Sequence, residues 1–268
     1  MRRKPSVAGY FYPSNPKKLY EMIKRMVDSK AEAQKAICII SPHAGYEYSG
    51  GVAGHVFSSV KLPEKFIIVG PNHRDVSTDL AIMKTGTWET PLGDVPIDTS
   101  LAELIMKQTD LIVEDERGHQ LEHSLEVQIP FIQYFKKNIS IVPICIAYYT
   151  PYEELEELGK AISQAIRKSD QEVLIIASTD MSHYVSQDEA REKDFLAIEK
   201  ILQLDAKGLF EVVKREHISM CGFQPATAVI IASRDLNAKK AELIRYQTSG
   251  DVSGNFSEVV GYAGIRII

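Results

Sequence analysis

Short apolar runs separated by longer amphipathic stretches set the rhythm of this chain. Residues 37–40, 65–71, 139–146 and 172–180 are too brief and too continuously apolar for surface helices, so they read as buried strands. The first breaks at Pro42 and the second ends in Gly70-Pro71. Pro143 inside the third suggests an edge or bulge position, because proline cannot donate to a ladder. Between these runs, apolar residues recur at helical spacing. Leu19, Met22, Ile23 and Met26 form a stripe behind Asn15-Pro16, and Leu155, Leu158, Ile162 and Ile166 form another. Further helices are expected over 50–60, 98–105, 188–202, 209–214 and 223–234, with a stripe over 122–135 interrupted by Pro130. Residues 80–83 and the surroundings of Trp88 read as strands or a hairpin turning at 91–94, and residues 259–268 close the chain as a strand. Residues 249–255 read as a polar, flexible loop.

Strands alternating with helical stripes describe an α/β fold with a central, mostly parallel sheet covered by helices on both faces. At 268 residues, a single domain over 1–268 is expected. A formal net charge of -5 gives no general attraction for nucleic acid or anionic membrane. No window approaches the roughly 18 apolar residues needed to span a bilayer, and the charged start lacks an apolar run behind it. Three cysteines make no disulfide framework. Cys38 and Cys145 read as buried, inert thiols of a reducing, cytoplasmic compartment, whereas Cys221 sits at a junction between segments.

Ligands of open α/β sheets occupy the crevice outside the strands' carboxyl ends. His43, His73 and the group Asp180, His183 each follow a predicted strand, so they are candidates for one site. Imidazole suits iron, copper and zinc, and His43, His73 and a third ligand would make a mononuclear metal site. The bland alternative is histidines that pack and hydrogen-bond at strand ends. His183 has the reference pKa of a proton-transfer group, with Asp180 to orient it or ligate metal. The structural alternative is local capping, since Ser178, Thr179 and Asp180 all suit the start of a helix or turn. His119-Gln120-Leu121-Glu122-His123 matches the inverted zinc-protease pattern, which requires both histidines on one helix face. Cys221 is a soft ligand, a nucleophile or a small buried side chain. The glycines after the first strand, Gly45, Gly50 and Gly51, fit neither a dinucleotide fingerprint nor a P-loop; Tyr46 and Tyr48 beside them are candidates to line a pocket.

From Ser41-Pro42-His43-Ala44-Gly45-Tyr46 onward the chain resembles the MEMO family. The resemblance continues through Gly70-Pro71-Asn72-His73, Glu122-His123-Ser124-Leu125-Glu126, Ser178-Thr179-Asp180-Met181-Ser182-His183 and Cys221-Gly222. Val7-Ala8-Gly9-Tyr10-Phe11-Tyr12-Pro13 fits its microbial members. The resemblance implies a fold like the class III extradiol dioxygenases. It also implies an iron- or copper-binding triad of His43, His73 and Cys221, with zinc the poorer match. His123, Asp180 and His183 would complete the pocket as catalytic groups, with Glu126 as a neighbour. In the related dioxygenases the third ligand is a glutamate, so a thiolate here sets the chain apart from ordinary ring cleavage.

The leading expectation is thus a metal-dependent oxidoreductase or redox protein. The alternatives are a noncatalytic protein holding a peptide or small molecule in the same cleft, and a hydrolase using metal-activated water or Cys221.

Overall fold

The computed structural model describes residues 1–74 and 78–268. Four parallel strands form the middle of its main sheet, in the spatial order Cys38–Ser41, Val173–Ser178, Lys65–Pro71, Ser140–Ile146. Their side chains alternate between two cores. Ile67 and Val69 enter one apolar cluster while Phe66 and Ile68 enter the other. Both faces are therefore dry, which is why these strands read as unbroken apolar runs.

Antiparallel strands extend the sheet at each side. Val259–Ile267 pairs with Cys38–Ser41 and carries Ala241–Thr248 and His183–Val185 beyond it. On the far side Leu80–Ile82 pairs with Ser140–Ile146, followed by Val113–Glu114. The sheet is mixed, with its parallel strands at the centre. A small separate sheet joins Arg2–Arg3 to the hairpin Thr87–Thr90 and Gly93–Pro96.

The helices follow their stripes. Pro16–Met26 starts where Asn15 accepts the Lys17 and Lys18 amides, and Thr99–Met106 starts where Asp98 accepts that of Leu101. Tyr152–Ser169 is the longest helix and packs on Phe223–Asp235. The stripe over 122–135 is resolved into a 3-10 turn, Glu126–Gln128, and the helix Ile129–Phe135, which takes Pro130 in its first turn.

Three sequence expectations need correction. Pro143 lies in an interior strand, paired with Ile68 on one side. The neighbour on its other side ends at Ile82, so at the ladder's end Pro143 only accepts, from the Met83 amide. The first strand's following helix starts earlier than expected and spans Tyr46–Ser58, absorbing Gly50 and Gly51. The polar stretch after Thr248 contains a helical turn, Gly250–Ser253. Ala241–Thr248 was not anticipated, because its side chains are mostly half-buried and give no clean alternation.

A buried ion pair ties the amino-terminal arm to this body. Glu126 is fully buried and accepts from Arg3 Nη1 (2.7 Å), the Ser6 amide and hydroxyl, the Val7 amide and the Tyr12 hydroxyl. Arg3 also donates to the His119 and Glu122 carbonyls. The lone pairs of the carboxylate are thus taken up by structure, which gives Glu126 an anchoring role beside the pocket.

Removing one partner of such a pair strands a buried charge. Arg3→Ala is expected to cost about 3–5 kcal/mol in urea unfolding at pH 7. Burial opposes the Glu126 charge, but Arg3, Tyr12 and the Ser6 amide outweigh it and hold the carboxyl below its ordinary 4.5. Its contribution is then complete above about pH 4.5 and lost as pH falls through the lower folded value. Glu126→Gln should show a shallower loss of stability between pH 7 and pH 3 than the unaltered protein; an equal slope would contradict the assignment.

Candidate metal centre

Strands in a sheet lie about 4.8 Å apart, so residues just past the ends of adjacent parallel strands are brought together without further help. His43 follows Cys38–Ser41, Asp180 follows Val173–Ser178 and His73 follows Lys65–Pro71, three neighbours in order. His123 arrives from the segment between the short helix Arg117–Gln120 and the 3-10 turn. The rings of His43 and His73 are 5.2 Å apart, those of His43 and His123 5.5 Å, and those of His73 and His123 4.7 Å. Each histidine offers a ring nitrogen, and these three atoms lie within 4.8 Å of one another. The cluster is capable of ligating a metal ion.

Glu122 orients the His73 ring and lies beside that of His123. Its buried carboxylate accepts from His73 Nδ1 (2.9 Å), the His73 amide (2.7 Å) and the Ser124 amide (2.8 Å), with His123 Nδ1 at 3.4 Å. Burial resists the charge, yet the bond from His73 and the nearby imidazoles hold this carboxyl at about 2. Glu122 is therefore an acceptor only, and His73 donates to it from Nδ1. A carboxylate behind a ligating imidazole is the usual outer shell of a metal site. Burial and the neighbouring imidazoles also keep His43 well below its ordinary value, and burial brings His123 down to about 4. Both rings are neutral near pH 7, as ligands must be.

Cys221 lies beside His43, with Sγ 3.2 Å from Nε2 and accepting the Asp180 amide at 3.3 Å. Burial, reinforced by the Asp180 charge, pushes the thiol well up, so the metal-free site holds it protonated. The approach is close because Gly222 lies against the preceding strand end; a Cβ there would sit 2.5 Å from the Ser178 carbonyl oxygen. Asp180 itself accepts the His43 amide at 2.8 Å and comes to 3.9 Å from its Nε2. Burial raises the Asp180 carboxyl. His183 is bonded to Ser219, its Nδ1 donating to that residue's carbonyl at 2.9 Å, so Asp180 acts on it only through space. A carbonyl only accepts, so a proton of His183 sits on Nδ1.

The six candidate residues thus gather at one strand-end edge, and Glu122, Ser178 and Gln128 join them. In the zinc-protease pattern Glu122 would be the base that activates water, and sequence reading missed Gln128. The zinc-protease geometry does not form. The helix carrying His119 ends at Gln120, and His119 is buried against Cys145 Sγ at 3.3 Å, so the two histidines share no helix face. Tyr46 is also not a pocket residue, being buried with its hydroxyl on the Val127 carbonyl, and Tyr48 lines a different cavity. Cys38 and Cys145 are free and buried, and burial pushes Cys38 up to about 12.

Above the cluster opens a cleft of about 470 Å³, lined by His73, Tyr148, Tyr149, His183, Tyr184 and Cys221 among others. Tyr184 is exposed and adopts a left-handed φ of 57° within an irregularity of the His183–Val185 pairing. Among the described residues, no helix is long and apolar enough to cross a membrane.

The chain resembles known proteins along its whole length. The family model described as Memo-like protein matches residues 3–266. A MEMO1 family protein of Pyrobaculum arsenaticum is 44% identical, covering 98% of each chain, and one of Methanococcus maripaludis is 42% identical over the full length of both. A third, from Methanopyrus kandleri, is 40% identical over 99% of this chain and 98% of its own. Among solved structures, an uncharacterized protein, JW3007, of Escherichia coli K12 shares the fold. Its TM-score is 0.56 at 14% identity, with 85% of this chain and 99% of that chain covered. With its family model spanning nearly every residue and full-length relatives above 40% identity, the chain belongs to the Memo-like protein family.

Proposed function

We propose that this protein is a mononuclear metalloprotein whose ion sits between the imidazoles of His43, His73 and His123, and that it carries out redox chemistry on a small molecule entering the cleft. The observation that carries the reading is the convergence of three ring nitrogens within 4.8 Å, backed by a buried carboxylate. Cys221, beside His43, is the third ligand in the set His43, His73 and Cys221 suggested by resemblance. The geometry favours His123, since the thiol lies outside the mutual 4.8 Å grouping. Iron or copper would supply one-electron chemistry at such a site.

The surrounding residues have separable roles. His183, held at the cleft wall by its Nδ1 bond to the Ser219 carbonyl, is the group that exchanges a proton with the bound molecule. Asp180 holds the His43 turn through its amide and stabilises positive charge on His183. Glu122 fixes the His73 ring. The cysteine-hydrolase alternative lacks support, because the burial that raises the Cys221 thiol works against a resting thiolate.

Elemental analysis of protein purified without added metal is the first check, with near-stoichiometric iron or copper expected. His43→Ala and His73→Ala should each abolish retention, and metal at background level in intact protein would sink the proposal. His123→Ala is expected to lose more metal than Cys221→Ser; the reverse order would assign the third position to the thiol. Glu122→Gln should weaken metal binding by about 10–100-fold while leaving the fold intact by circular dichroism. An unchanged affinity would remove Glu122 from its orienting role.

A further inference from the structure

His43 is deeply buried, and the ring nitrogen away from the cluster is engaged by a hydroxyl rather than a carboxylate. A hydroxyl is ambiguous, since it donates or accepts. If Ser178 donated to His43 Nδ1, the ring's only proton would move to Nε2, the atom facing Cys221 and the other imidazoles. That tautomer has no lone pair to offer a cation on the cluster side. The buried network around Ser178 removes the ambiguity.

Gln128 Nε2 has two protons and two short acceptors, the Pro42 carbonyl at 2.9 Å and Ser178 Oγ at 2.8 Å. Turning the amide over would set its oxygen against the Pro42 carbonyl, so this orientation is forced. Gln128 Oε1 meanwhile lies buried with no hydrogen-bond partner, a cost tolerated for the sake of the two donors. Ser178 Oγ receives one of those protons, and its own proton goes to the Ser124 carbonyl at 2.6 Å. What the hydroxyl has left for His43 Nδ1, 3.0 Å away, is a lone pair.

We infer that Ser178, locked by Gln128 and the Ser124 carbonyl, is a positioning residue that holds His43 as the Nδ1–H tautomer and keeps Nε2 free for a cation. The inference rests on the metal-site reading for its purpose, but the tautomer itself is a property of the metal-free chain. The sequence is directional throughout: the Pro42 carbonyl accepts from Gln128, which donates to Ser178, which accepts from His43 and donates to Ser124. The residues come from three separate segments, and two of them, Ser124 and Gln128, lie close beside the His123 that completes the cluster.

The test reads the tautomer directly. Metal-free protein labelled with ¹⁵N at histidine is examined by two-bond ¹H–¹⁵N correlation, with His43→Gln identifying the His43 signals. The unaltered protein should show His43 protonated on Nδ1. Ser178→Ala should move the proton to Nε2 and weaken iron(II) or zinc binding by about 10–100-fold. Ser178→Thr, which keeps the hydroxyl, should restore both. Gln128→Met frees the hydroxyl without removing it and should yield a measurable Nε2–H population, so it carries the test if Ser178→Ala does not fold. Finding Nε2–H in the unaltered protein, or no change of tautomer in whichever variant folds, would overturn the inference. A correct tautomer in a protein that binds no metal would instead refute the proposed function and leave the network standing.

Discussion

A buried carboxylate must be surrounded by donors or it does not stay charged, and two glutamates four residues apart impose that demand on most of this molecule. Glu126 gathers the amino-terminal arm, drawing in Arg3, Ser6, Val7 and Tyr12. Glu122 gathers the end of the Lys65–Pro71 strand, taking the amide and ring of His73. Between them lies His123. The segment 122–126 therefore acts as a clasp between the start of the chain and the sheet's edge. The histidine cluster is assembled where that clasp closes. Arg3 strengthens the link by donating to the Glu122 main chain as well as to the Glu126 side chain.

The parallel centre was legible because each of its strands is buried on both faces and leaves a continuous apolar run. The edge that carries the site was legible for the same reason, since His43, His73 and Asp180 each follow such a run directly. Ala241–Thr248 escaped notice because one-sided, half-buried strands mix polar and apolar residues. Pro143 misled because a proline's tolerance depends on where its neighbour stops, and that length is a property of another segment.

Chemistry was harder to read than architecture. Local spacing joined His119 to His123, although the helix ends at Gln120 and His119 is buried against Cys145. Non-local contact decided the roles. Nothing in Glu122 itself distinguishes a general base from a support for His73, and nothing in Gln128 hints that its two protons are aimed at a proline carbonyl and a serine. The resemblance to the MEMO family reached the right region of the chain on short motifs, and the full-length relatives establish membership. The ligand set drawn from the resemblance and the grouping drawn from geometry share His43 and His73 and differ only in the third donor.

Gly222 adds a last point. The missing side chain lets the chain after Cys221 rest against the Ser178 carbonyl and the Thr179 side chain, which brings the thiol up to the imidazole. The soft and the nitrogenous donor are thereby kept in fixed proportion by the one residue that contributes no atoms of its own to the pair.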